Sequence, residues 1–380
     1  MFYDVAVVGA GVFGAWSAYQ LRLAGASVLL IDAYGPGNSR ASSGGESRII
    51  RLGYGPDEIY SRSAQRSFTL WQQLFEKTEQ QLFQKTGVLW LARDEDAYCE
   101  ATLATLSRIN ANIERLDRDE LVRRFPQLEF GPTTWAILEP DAGVLLARRA
   151  VQAIAAQAQA NGVEYVQDAI VPPVAQGKLS SIQTISGNEI RAGQFVFACG
   201  PWLPKLFPEL LAGLIYVTRQ EVIFLGVPPG DGSFNPGVMP TWVDFNDLVY
   251  AMPNLDGRGF KIAIDAHGEE FDPDSGDRVV SASGLQAVRE YLAKRVPRLV
   301  NAPVMETRVC QYENTSNGDF LIDRHPQFEN VWIVGGGSGH GFKHGPVVGE
   351  YVARMISGDG VEESRFTLAT KARVQQRKVY

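Results

Sequence analysis

Three cysteines in 380 residues, Cys99, Cys199 and Cys310, are too few and too scattered for a disulfide framework or a zinc site. Histidine is nearly as scarce. His267, His325, His340 and His344 show no HExxH or similar ligand spacing, so no metal centre is expected. No apolar run approaches the ~20 residues that a membrane span needs, which argues against a membrane partner. Positive charge is also short: 36 basic against 43 acidic residues leave a net charge of −7. A nucleic-acid partner needs a basic surface, and none is indicated. The chain runs from Met1 into an apolar strand without a basic leader, which predicts a cytoplasmic enzyme.

The rest of the composition is that of a globular chain, with 45% hydrophobic and 21% charged residues, 38 glycines and 20 prolines. This excludes a fibrous, collagen-like or largely disordered protein. At ~100–200 residues per domain the length predicts two domains, or one large domain with an elaborated second lobe.

The first 32 residues are the most legible. Tyr3 to Val8 is a β-branched apolar run, the mark of a buried parallel strand. Gly9-Ala-Gly11-Val-Phe-Gly14 follows, then a helical stretch from Ala15 to Ala24 closed by Gly25, then a second strand from Ser27 to Asp32. Residues 33–56 read as a Gly/Ser/Pro-rich loop with a basic core, Ser47-Arg48-Ile-Ile-Arg51. Helices are expected over 56–83, 95–110, 118–125, 147–160, 283–295 and 346–356. Strands are expected over 86–91, 194–198, 216–225, 248–252, 260–265, 306–312 and 331–334. The fold class is therefore mixed α/β (α+β): a Rossmann-like domain with a discontinuous, β-rich second domain. The boundaries are 1–80, 140–213 and 316–375 for the first, and 81–139 and 214–315 for the second.

The three glycines of Gly9-x-Gly11-x-x-Gly14 serve different physical ends: the first a tight turn, the second room for a pyrophosphate, the third close helix–strand packing. The helix N-terminus then offers oriented N–H donors to an anion. Asp32 ends the second strand, where a carboxylate can accept from adenosine ribose hydroxyls and would repel a 2′-phosphate. Two later segments point to FAD rather than a nicotinamide. Phe195 to Trp202 is a strand ending in a small-residue turn that includes Gly200. Val331 to Gly341, with Gly339, is a strand–glycine segment leading into a helix. Such pieces carry the middle of a flavin cofactor and its ring past a sheet edge.

Several motifs occur in order along the chain: Gly9-Ala-Gly11 with Asp32, Arg48-Ile-Ile-Arg51, Lys85 to Leu89, Glu139-Pro-Asp-Ala-Gly-Val144, Val309-Cys310-Gln-Tyr312, Phe320 to Pro326, and Ser338-Gly-His-Gly-Phe-Lys343. Together they resemble the monomeric sarcosine oxidase family, a branch of the glycine oxidase/D-amino-acid oxidase superfamily with N-methyltryptophan, pipecolate and fructosyl-amino-acid oxidases as relatives. The resemblance implies FAD bonded covalently through Cys310, and Arg51 and Lys343 gripping a substrate carboxylate. It also implies Lys261 acting in oxygen activation, Tyr250 and Tyr312 lining the pocket, and Arg48 on the flavin side. The implied reaction oxidises a carboxylate-bearing secondary amine (N-alkyl, cyclic or glycated) to an imine, with O2 reduced to H2O2, by a monomer. Two positions depart from the family pattern: Asp265 replaces a histidine four residues after Lys261, and Ser42-Ser-Gly-Gly45 replaces a histidine-rich stretch.

Read without the family, Cys310 is a small apolar strand residue. Arg48 and Arg51 are suited to an anionic ligand because guanidinium grips carboxylate bidentately. Lys261, Ala263 and Asp265 lie two apart on one strand and are expected on one face. Asp265 then either lines the pocket, or pairs with Lys261 or caps a turn. A dehydrogenase with another electron acceptor and a flavin-binding sensor without turnover stay open as alternatives.

Overall fold

The computed structural model describes residues 1–174 and 177–376. The chain opens with strand β1 (Phe2–Val8), helix α1 (Val12–Leu23) and strand β2 (Val28–Asp32), paired in parallel with Val5 opposite Val28. Both faces of these strands are covered. Val5, Val7, Val28 and Leu30 pack toward α1, while Ala6, Val8, Leu29 and Ile31 pack into a second cluster with Phe195 and Phe197. Burial on both faces is why the run is apolar at every position instead of alternating.

Among the described residues three sheets form. The first has seven strands, in the order Leu321–Arg324, Val331–Gly335, Glu189–Phe197, β1, β2 and Glu164–Gln167, with Ser181–Gln183 beside Glu189–Phe197. Its centre is parallel. The second has eight strands, running Val304–Thr315, Ile215–Leu225, Phe260–Ile264, Val249–Met252, Thr241–Asp244, Val88–Ala92, Trp135–Glu139 and Glu114–Asp117. One face of this sheet packs Leu89, Trp242, Phe260 and Ile262 against Val288 and Leu292 of the helix Ala282–Arg295. Its other face, with Val222, Phe224 and Ala263, turns toward the cavities described below.

Two expectations are corrected here. The helix expected over 56–83 is α2 (Glu58–Lys77), and Phe83–Gln84 is a strand instead. The segment 33–56 is not all loop: Ser42–Gly44 is a 3-10 turn and Arg48–Ile50 is a strand. That strand pairs with Gly143–Leu145, which also pairs Phe83–Gln84, making the third sheet. Arg48 opens that strand and Arg51 follows directly after its end.

Candidate active site

The crossing from β1 to α1 is built on backbone. Gly9 has φ +103°, and a Cβ there would lie 2.3 Å from the Ala198 carbonyl oxygen. A Cβ on Gly14 would lie 1.8 Å from the Gly9 oxygen, so the strand–helix turn closes only with glycine at both places. Asp32 holds this turn: its Oδ2 accepts from Ala10 N at 2.7 Å, and its Oδ1 from Tyr34 N and Gly35 N, both at 2.8 Å. A carboxylate has about four acceptor positions, so Asp32 retains capacity for a ligand hydroxyl.

Gly9, Gly11 and Asp32 line a chamber of about 330 Å³, together with Gly200, Gly339, Gly341, Arg48, Cys310 and Tyr312. That volume falls in the range of about 300–1,000 Å³ typical of ligand and cofactor clefts. Glu313 also faces it. Its Oε2 is buried with no hydrogen-bond partner, and burial pushes the carboxyl up to about 7. An orphaned acceptor or donor in a chamber walled by glycines fits a polyhydroxylated cofactor chain, which would supply the missing partner. Cys310 Sγ sits 3.3 Å from an Arg48 guanidinium nitrogen on the same wall.

A second, smaller cavity of about 70 Å³ shares the Arg48, Cys310, Tyr312, Ser338, Gly339 and Phe342 wall with the chamber. Its remaining lining includes Arg51, Lys343, Asp265 and Tyr250, with Val222, Val243, Phe245 and Met252. Arg51 is 5% exposed and Lys343 4%. The Arg51 guanidinium lies 4.4 Å from the Trp90 ring centre and 4.6 Å from that of Tyr54, and it donates to the Gly53 carbonyl. Aromatic faces on a desolvated guanidinium fix its plane at the cavity wall. Lys343 Nζ donates to Tyr54 Oη at 2.8 Å and to the His340 carbonyl at 2.9 Å. Burial, reinforced by Arg51, holds the Lys343 amine well below the usual lysine range. An incoming carboxylate reverses that penalty.

Asp265 lies just past the strand Phe260–Ile264, and its Oδ1 accepts from Tyr312 Oη at 2.7 Å. Burial pushes its carboxyl up to about 6. The same burial, then the Asp265 charge, drives the Tyr312 phenol well above its ordinary value, and burial raises Tyr250.

Lys261 is placed elsewhere. Its amine donates to the Ser47 carbonyl at 2.9 Å and to Ser47 Oγ at 3.1 Å, and it lines a third cavity of about 100 Å³. Burial, then Arg48, pushes it well below the lysine range. The pairing of Asp265 with Lys261 is therefore corrected: each takes a different partner, because Asp265 falls beyond the strand end.

Sequence reasoning passed over the groups that hold Arg51 in place. Glu139 accepts from Leu52 N at 2.7 Å, from Gly53 N at 3.1 Å and from Trp90 Nε1 at 2.7 Å. It stood inside a motif, with no feature to tell a buried carboxylate from a turn residue. Tyr54, three residues past Arg51, and His344, next to Lys343, were missed as well.

A model of the DAO family, described as FAD dependent oxidoreductase, matches residues 4–355. The chain is 32% identical over 365 residues to monomeric sarcosine oxidase of Bacillus sp. (strain B-0618), covering 93% of this chain and 92% of that protein. It is 30% identical to peroxisomal sarcosine oxidase of Mus musculus, over 93% of this chain and 92% of that one. Among solved structures, L-proline dehydrogenase from P. horikoshii superposes with a TM-score of 0.82 at 22% identity, over 96% of each chain, a likeness of fold. The glycine turn on Asp32, the chamber above it and a match running nearly end to end agree: the chain belongs to the FAD-dependent oxidoreductase family.

Proposed function

We propose that this chain oxidises a small, carboxylate-bearing secondary amine to an imine and passes the electrons to O2, giving H2O2. The observation that carries this reading is the buried Arg51–Lys343 pair in a small cavity that shares a wall with the cofactor chamber. Two cations and an aromatic cage suit one carboxylate, and gripping it orients the neighbouring Cα–H toward that wall. The 32% identity to monomeric sarcosine oxidase supports the same class of substrate.

FAD, when bound, supplies a two-electron acceptor for the hydride of Cα–H. Gly9, Gly11, Gly14, Asp32, Gly200, Gly339 and Gly341 are the residues we assign to holding it, the first sheet being its domain and the second sheet the substrate's. Cys310 is assigned to the covalent attachment and Arg48 to the charge beside it. Lys261, braced by Ser47, is assigned to the reaction with O2 on the family resemblance. Tyr250 and Tyr312 close the substrate cavity, and Asp265 faces the amine.

Size narrows the substrate. About 70 Å³ holds roughly six water-sized groups, at about 10–15 Å³ each, which suits an N-methyl or cyclic amino acid better than a glycated one. An anaerobic screen of N-alkyl, cyclic and glycated amino acids, read by bleaching of the flavin, tests the reading. Bleaching by small secondary amino acids supports it, and failure of every one would end it. Stopped-flow reoxidation in air separates oxidase from dehydrogenase, since a very slow return to yellow would remove O2 as the acceptor. Acid precipitation tests the bond to Cys310: yellow pellet for attachment, yellow supernatant against it.

A further inference from the structure

An unbroken line of hydrogen bonds leaves the small cavity at Lys343. Lys343 Nζ donates to Tyr54 Oη at 2.8 Å, Tyr54 Oη lies 2.7 Å from His344 Nε2, and His344 Nδ1 lies 2.9 Å from Ser63 Oγ. Tyr54 and His344 are fully buried, at 0% exposure each. Ser63 is only half-buried, on α2 beside the exposed Arg62 and Arg66. The line thus runs from the site to the surface.

One set of proton positions satisfies every link. Lysine donates to the phenol oxygen, the phenol O–H to Nε2, and Nδ1–H to the serine oxygen. His340 offers a competing contact to Tyr54 Oη, but at 3.3 Å it is the longer of the two. His340 Nε2 faces the Gly318 carbonyl at 3.0 Å, and a carbonyl only accepts, so that ring's proton sits on Nε2. With the His344 proton on Nδ1, every group on the line donates outward.

We propose that Tyr54, His344 and Ser63 form a proton relay between Lys343 in the substrate cavity and solvent beside α2. The relay rests on the amine-oxidation reading above. An amino acid arrives in water as an ammonium ion, and its Cα–H cannot leave as hydride until one N–H proton is gone. That N–H bond breaks with its electron pair staying on the substrate nitrogen, and the proton goes to the Lys343 amine that is freed as Lys343 hands one of its own to Tyr54 Oη. Lys343 passes one proton to Tyr54 Oη, Tyr54 passes its own to His344 Nε2, and His344 passes the Nδ1 proton to Ser63 Oγ and so to water. No electrons move, and each group ends with as many protons as it began.

The surroundings favour transit over storage. His344 faces Lys343, Arg51, His340 and Tyr54, while α2 brings Tyr60, whose hydroxyl donates to Asp319, itself paired with Arg365. Burial, then Lys343, His340 and Arg51, hold the imidazole well below its ordinary value, so a proton reaching it is passed on. Asp265 and Glu139 face Lys343 from the other side and oppose the same burial there.

The test is anaerobic stopped-flow of the holoenzyme in weak buffer with a pH-indicator dye, using whichever amino acid of the screen above, sarcosine and L-proline among them, bleaches the flavin fastest. Wild type should release a proton at the rate of flavin reduction. His344→Gln should slow both on the order of tenfold or more below the bound amine's pKa, with the loss shrinking where the amine arrives neutral. Ser63→Ala, a change at the half-buried end, should show the same pH pattern with a smaller loss. It also covers the case in which His344→Gln fails to fold. A loss equal at every pH would make these residues scaffolding and overturn the relay, as would proton release at the wild-type rate in both variants. If no amino acid of that screen bleaches the wild type, the amine reading falls and takes the relay with it. Bleaching with a pH-independent loss sinks the relay alone.

Discussion

Asp265 sets a pH signature that a neutral or basic residue there would not. Its carboxyl, pushed up to about 6 by burial, is ionised above that pH, and under the proposed function it would attract a bound ammonium and raise the amine's pKa. Asp265→Asn should therefore move the rising limb of flavin reduction toward acid by on the order of one pH unit. An unmoved limb in rapid-reaction pH profiles would place Asp265 away from the amine. Asp265→His should shift preference toward sarcosine over bulkier secondary amino acids, read as the ratio of kcat/KM values. The shift also bears on stability. The folded state holds the Asp265 proton above the ordinary value of 3.8, so this residue's contribution falls as pH climbs through 4 to 6. Asp265→Asn should flatten that part of the stability curve. Arg51, Lys343 and Tyr312 were legible through the motifs that carry the family resemblance, and Asp265 as a departure from that pattern. Trp90 and Tyr54 were not, because a ring that cages a guanidinium has the same sequence signature as a ring in any core.

At the scale of elements, Glu139 ends one strand and ties down the run after another. Glu139→Ala leaves the N–H groups of Leu52, Gly53 and the Trp90 indole without their acceptor. We expect a loss of at least about 2 kcal/mol in denaturation, and a KM for the amino acid that rises more than kcat falls. Glu139→Gln keeps an acceptor oxygen and should recover much of both. A second tie joins the helix Ala282–Arg295 to its sheet. Arg295 pairs with Asp244 at 2.9 Å, with side-chain exposures of 4% and 2%, and caps the Glu129 and Phe130 carbonyls. Arg295→Met strands a buried carboxylate and should cost about 3 kcal/mol in chemical denaturation, with Asp244→Leu added to it restoring most of the loss. Most long elements could be read from periodicity, and the helix Ala147–Ala160 falls at its expected bounds. The short strand Arg48–Ile50 was hidden because three residues carry no period, and its pairing with Gly143–Leu145 is set by tertiary contact alone.

Across the whole molecule, the cofactor chamber draws its walls from both large sheets: Val8, Asp32 and Val334 from the first, Cys310 through Glu313 from the second. Flavin loading should then stabilise the two sheets together, by about 4 kcal/mol at a thousandfold excess over Kd, and raise one shared melting temperature. Calorimetry of flavin-free and loaded protein checks this, and a second, unmoved transition would count against a shared wall. The chain visits the first sheet at 2–32, the second at 88–139, the first again at 164–197, the second at 215–315 and the first once more at 321–335. This interleaving bears on how the gene can be divided. No single cut separates the first sheet from the second, so neither can be borrowed, swapped or expressed alone as a contiguous piece. Recombination between relatives would have to exchange at least two separate stretches, or nearly the whole chain, to keep each sheet with its own partners.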